Sequence, residues 1–204
     1  DETETVVYYS SAAFEGIVLA DTFQITENGD SLDSAMFPQN NDRIIRQNST
    51  PINVVIGNPP YSVGQTSAND LNANVGYPTL DGRIADTYAK RSTATNKNSL
   101  YDSYLRAFRW ATDRIGDSGV VAFVSNGGWV DGNTADGIRL SMAEEYAHIY
   151  VYNLRGNART AGDLRQKEKG NVFGSGARTT AAIFIGIKNP AHTGPCEIHY
   201  RDIG

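Results

Sequence analysis

An apolar run that stops on two prolines sets the first constraint. Residues 53–61 read NVVIGNPPY. Val54, Val55 and Ile56 form a short, continuously apolar stretch, which predicts a strand over residues 53–58 buried on both faces. Neither Pro59 nor Pro60 can donate a ladder hydrogen bond, so that strand has to leave the sheet at Asn58.

Other runs of the same kind punctuate the chain. GIVLADTF over residues 16–23, VVAFVSN over 120–126, HIYVYNL over 148–154 and AAIFIGIKN over 181–189 read as further strands, the last of them closing the series. Between them, Leu100, Tyr104, Phe108, Ala111 and Ile115 recur at helical spacing. Ser99, with Asp102 three residues on, predicts the start of that helix, and Gly116 its end. GIRLSMAEEYA predicts a second helix, and residues 80–90 a short third one. Residues 27–41 and most of 62–98, dense in Asn, Ser, Thr and Gly, predict loops. Strands alternating with helices imply an α/β domain with a mostly parallel sheet. Ligands of such sheets sit beyond the carboxyl ends of the strands, a rim predicted to carry Asp21, Asn58 and Asn126.

The chain of 204 residues is long enough for one domain with its own core. A net charge of −5 gives no sign of a self-sufficient nucleic-acid binder, which usually carries a basic excess. One cysteine, Cys196, rules out an internal disulfide and suggests a reducing, cytoplasmic setting. His148, His192 and His199 show no metal-ligand spacing with one another or with Cys196, so no metal is expected. No apolar run approaches a membrane span, and no membrane partner is expected.

The NPPY corner has its own chemistry. Pro59 and Pro60 fix φ and stiffen the backbone after Asn58. Because Pro60 lacks an N–H, the side-chain oxygen of Asn58 and the carbonyl of Pro59 become two rigid acceptors, with the ring of Tyr61 beside them. Two acceptors and a flat face suit a planar ring bearing an exocyclic amino group. Hydrogen bonds to both amino N–H groups favour a localised nitrogen lone pair, an electrostatic preorganisation for attack on an activated methyl. A base inside a duplex must first be flipped out at a cost of a few kcal/mol, and stacking on one aromatic returns about 1–3 kcal/mol. Phe173, in GNVFGSGAR, is the candidate for the opposite ring face, with a place in the core as its alternative.

These residues resemble a known family. NPPY after an apolar strand is similar to the catalytic motif of amino-group methyltransferases that use S-adenosylmethionine. LADTFQ, GNPPYSVGQTSAND, RSTATNKNSLYDSYLRAFRWATDRIGD, VVAFVSNGGWVDGNTADG, VYNLRGNARTAG and NVFGSGARTTAAIFIGIKNP extend the match. Together they resemble the methyltransferase region of large single-chain bacterial restriction-modification enzymes, which join a helicase-like motor to an N6-adenine DNA methyltransferase. The resemblance implies a Rossmann-like sheet. Asn58, Pro59, Pro60 and Tyr61 would hold a flipped adenine and Phe173 would stack on it, while Asp21 and Phe23 would lie near the adenine moiety of the cofactor. The loop over residues 62–98 would approach DNA.

One departure from the family's pattern is clear. The family carries a glycine-rich cofactor loop and an acidic ribose ligand ahead of the Asp21 strand, in strands that lie beside the NPPY strand. Only DETETVVYYSSAAFE precedes it here. Residues 1–204 are therefore expected to be a single, truncated catalytic-domain fragment that does not bind S-adenosylmethionine alone. Its expected partners are DNA and the missing methyltransferase, target-recognition, helicase and nuclease regions. The alternatives are methylation of a protein glutamine or of ribosomal RNA, or a fragment with no activity of its own.

Blander readings stand beside these. NPPY can be a strand-ending turn, and Asp21 can cap one. Arg106, Arg109 and Arg114 can be a solvated helix face, and Arg155 a surface turn. Lys90, Arg91 and Lys97 either contact phosphates or do not.

Overall fold

The computed structural model describes residues 16–27, 36–60, 76–156 and 179–203. The chain divides into two compact units at the junction of Thr50 and Pro51.

In the first unit, a bent segment ends in a 3₁₀ turn, Gln24–Thr26, and is followed by helix α1, Pro38–Ser49. Pro38 opens the helix where its missing N–H costs nothing. The strand expected over residues 16–23 does not form, and Ile17 and Leu19 are exposed. No described strand lies alongside to pair with it. Instead the amide of Asn40 donates to the Leu19 carbonyl at 2.7 Å and accepts from the Leu19 N–H at 2.8 Å, doing for one residue what a neighbouring strand would do. The predicted loop over 27–41 likewise gives way to α1 from Pro38 onward.

The second unit carries a five-stranded sheet in the order β1-β2-β4-β3-β5. The strands are β1 Val54–Gly57, β2 Gly119–Asn126, β3 His148–Arg155, β4 Ala181–Lys188 and β5 Glu197–Asp202. β1 runs parallel to β2, and β3 parallel to β5, while β4 is antiparallel to both β2 and β3. The sheet is thus mixed. Four strands share one direction and β4, between them, is reversed. β5 corrects the expectation that residues 181–189 form the last strand. Its polar composition hides it, and it is held by backbone pairing to β3.

The α-helices described in this unit are α2 (Pro78–Ile84), α3 (Ser103–Arg114), α4 (Gly128–Asp131) and α5 (Asp136–Glu145), with 3₁₀ turns at Asn98–Tyr101 and Asn133–Ala135. Asp102, rather than Ser99, caps α3 by accepting from the Tyr104 N–H at 3.4 Å. Gly116, at φ 61°, ends it as expected. α2 continues into a π-helical turn, Ala85–Ala89. Against that turn packs Gly137 of α5, so closely that a Cβ would lie 1.9 Å from the Tyr88 carbonyl oxygen. Only glycine permits this approach.

The core lies where α3 meets the sheet. Phe108 is fully buried and packs edge-on to Phe123 of β2 at 5.3 Å and to Phe184 of β4 at 5.0 Å. Trp129 closes the cluster and donates its indole N–H to Ser125 Oγ at 3.2 Å. Such edge-to-face contacts add about 0.5–1.5 kcal/mol each beyond burial.

The other sheet face is more open. Strand register aligns Ile56, Ala122, Ile185 and Tyr150 along one row of it, and Ile56, Ile185 and Tyr150 are exposed. β1 is also an edge strand among the described residues. Its expected burial on both faces is therefore not met: Val54 is 55% and Ile56 77% exposed. An apolar run reports that burial suits it, not which surface provides the cover.

Candidate active site

β1 delivers Asn58 to the carboxyl end of a parallel pair. Gly57, its last residue, lies opposite Phe123, whose ring would be 3.4 Å from an added Cβ. The strand end therefore rests directly on the aromatic core. Pro59 is buried, while Asn58 and Pro60 on either side of it are exposed. The corner is pinned at its centre and presents its flanks. The Asn58 amide has no hydrogen-bond partner among the described residues. Tyr61 and Phe173 lie outside the described residues.

Asn126, at the end of β2, is on the same rim but differently employed. It is buried, and its side-chain oxygen accepts from the Gly128 N–H at 2.8 Å, opening α4. Asp21 closes no strand. It sits in the first unit, where its carboxylate accepts from the Phe23 N–H at 2.9 Å in a tight turn. Asp21 also lines a cleft of about 400 Å³, walled by Leu19, Ile25, Phe37, Ile44 and Ile45. Phe23 is half-buried beside it in sequence but does not line the cleft.

Arg106 and Arg109 of α3 are not a solvated face. Arg109 is fully buried. Its guanidinium grips Glu145 at 2.7 and 2.6 Å and Asp113 at 3.2 and 2.6 Å, and lies over the Tyr88 ring at 5.5 Å. Burial alone would lower its pKa, but the hydrogen bonds to Glu145 and the surrounding negative charge push it up instead. Burial likewise pushes the Asp113 carboxyl up, and the hydrogen bond from Arg83 with the charge of Arg109 outweighs it and holds the group below its ordinary value. Arg106 forms a two-pronged pair with Asp81 at 2.8 and 2.9 Å. In the candidate basic cluster, Arg91 pairs with Glu144 and the Lys97 ammonium donates to the Ala89 carbonyl at 2.6 Å, leaving Lys90 exposed. Arg155, no simple surface turn, binds Asp202 through two hydrogen bonds at 2.6 and 2.9 Å.

The stretch of chain that includes this corner falls within the match of a family model. The model of the Eco57I restriction-modification methylase covers residues 9–159. The chain belongs to this family. No curated protein matches it. Among solved structures, this methylase-family chain is similar to a nuclease-deletion mutant of the Type ISP restriction-modification enzyme LlaGI in complex with a DNA substrate mimic. Identity is 48% and the TM-score 0.88, over 96% of this chain and 16% of that one. It is also similar to the ATP-dependent Type ISP restriction-modification enzyme LlaBIII bound to DNA, at 44% identity and TM-score 0.87, over 96% of this chain and 13% of that one. A DrdV–DNA complex matches at 39% identity and TM-score 0.84, over 95% of this chain and 18% of that one. The methylase-family chain thus spans less than a fifth of the length of each.

The fold also assembles a cluster that no spacing along the chain announces. His148, Glu197 and His199 bring their donor atoms within 4.8 Å of one another. Pairing of β3 with β5 creates that proximity, and β5 was not predicted.

Proposed function

We propose that this region transfers a methyl group from S-adenosylmethionine to the N6 amino group of an adenine turned out of duplex DNA, as the catalytic part of a larger restriction-modification enzyme. The observation that carries the reading is the state of Asn58: exposed, without a partner among the described residues, and at the carboxyl end of a parallel strand. An unused amide on a rigid corner favours a binding role over a mere turn. Family membership favours methyl transfer, and the DNA in the complexes of similar enzymes favours DNA as the substrate.

In this reading the Asn58 side-chain oxygen and the Pro59 carbonyl accept the two N–H groups of the adenine amine. They localise its lone pair and stabilise the positive charge the nitrogen gains. Pro59, buried, fixes the corner, Pro60 stiffens the backbone after it, and ladder pairing already ends at Gly57. Tyr61 and Phe173 stack on the two faces of the base.

The first-unit cleft has the chemistry to hold the adenine end of the cofactor. Leu19, Ile25 and Phe37 offer apolar walls, and Asp21 a nearby acceptor. Its size is within the usual range of small-molecule sites. Phe23 would support the turn that aims Asp21. S-adenosylmethionine, when bound, supplies the electrophilic methyl. We assign a Rossmann-like completion to the sheet, with the strands of the glycine-rich loop adding to the open edge of β1. The exposure of Val54 and Ile56 supports that placement.

The test uses a protein that carries this region with its flanking regions, incubated with labelled S-adenosylmethionine and duplex DNA, ribosomal RNA or a glutamine-bearing protein. Label in DNA as N6-methyladenine is the expected result. Label confined to RNA or protein would replace this reading.

A further inference from the structure

The three histidines of the chain converge on one corner of the sheet. Parallel pairing sets His148 of β3 opposite Glu197 of β5, and Tyr150 opposite His199. Alternation of side chains puts all four on the more open face of the sheet. His148 Nδ1 lies 3.2 Å from Glu197 Oε2, and His199 Nε2 lies 3.9 Å from the same oxygen. Metal–ligand bonds of about 2.0–2.2 Å in a tetrahedron separate neighbouring ligand atoms by about 3.3–3.6 Å. The first pair is close to that spacing, and exposed Glu197 can rotate to bring in the second.

A second observation points to a ligand. His148 Nδ1 is enclosed, yet it makes no aligned hydrogen bond despite the nearby carboxylate. A cation between the two would satisfy both. The rings are also held in place: His199 stacks on Tyr150 at 4.5 Å and 11°, and His192 packs edge-on to His148 at 4.9 Å. Held ring planes reduce the entropy lost on coordination.

We propose that His148, Glu197 and His199 bind one zinc-class divalent ion that clips β5 to β3. Two imidazoles and a carboxylate select zinc, cobalt or nickel over magnesium or calcium, which take oxygen ligands. The fourth position is left to water. The role is structural. β5 is a largely exposed strand, at the sheet's edge among the described residues, whose far end is tied by Asp202 to Arg155. The ion ties its near end. Cys196 is not a ligand, and its thiol is directed at the Glu197 carbonyl at 3.9 Å.

Chelator-treated full chain is titrated with Zn²⁺ by calorimetry and with Co²⁺ by visible absorption. One equivalent at micromolar or tighter affinity, with the intense visible bands of low-coordinate cobalt, is expected. His199→Ala and Glu197→Gln should each weaken binding by at least about tenfold, and Cys196→Ser should leave it unchanged. Zn²⁺ should raise the melting temperature of the wild-type chain but not of His199→Ala. Both altered side chains are at least half exposed, so circular dichroism should show each variant folded. A measurement that needs no variant is the proton NMR of the wild-type histidines, where the His148 and His199 rings must shift on adding Zn²⁺. Unshifted rings, binding only at millimolar levels, or binding lost in Cys196→Ser and kept in His199→Ala would each overturn the site.

Discussion

The Asn58 corner and the Arg109 cluster lie in the same unit and are treated by the fold in opposite ways. Arg109 is buried and holds Asp113 and Glu145, joining α3 to the end of α5. Asn58 is exposed and holds nothing among the described residues. Burying a charge is tolerable only when it is paired and hydrogen-bonded, so the arginine's polar capacity is consumed by folding. The asparagine's is left to solvent. Polar residues that a fold leaves unused on a rigid corner are better candidates for function than those it spends on itself.

That contrast can be broken by experiment. Asn58→Ala should cut methylation by at least about a hundredfold, the scale for losing one preorganised hydrogen-bonding group, with an unchanged melting temperature. Normal turnover in labelled-cofactor assays would end the distinction. Arg109→Met should do the reverse and destabilise the chain by about 3 kcal/mol in urea unfolding. This is the lower end for breaking a buried pair, because Asp113 and Glu145 are partly exposed. Arg106→Met should cost less, about 1–2 kcal/mol, since it loses a two-pronged pair with Asp81 that solvent partly screens.

The smallest effect is one of pH. Because the Asp113 carboxyl is held below its ordinary value when folded, its contribution to stability is full above the unfolded pKa of about 4. It declines as pH falls below that, through the folded value. Arg83 donates to Asp113 at 3.0 and 2.9 Å, so Arg83→Met should flatten this acid limb in melts recorded from pH 6 to pH 3. An identical slope in both proteins would show that Arg109 alone sets the Asp113 carboxyl.

Much of the second unit was legible because its signals are local. The run from Val120 to Asn126 and the recurrence of Tyr104, Phe108 and Ala111 name a strand and a helix whatever surrounds them. The stop at Asn58 was equally plain, since proline chemistry needs no tertiary context. Three readings failed for want of that context. Residues 16–23 have strand composition but find no described strand to pair with, and Asn40 takes up the Leu19 backbone instead. β5 lacks strand composition but finds β3. Arg109 failed the same way, because helical periodicity places it on a face and cannot say that Glu145 will arrive to cover it.

By itself the sequence determined where the backbone must turn rigid, for this follows from covalent structure and steric limits within a few residues. Tertiary structure alone decided that β4 runs backwards between β2 and β3, that an arginine could be buried, and that His148 meets Glu197 and His199. Those outcomes depend on residues far apart in the chain. Their free energies exist only once the partners are brought together.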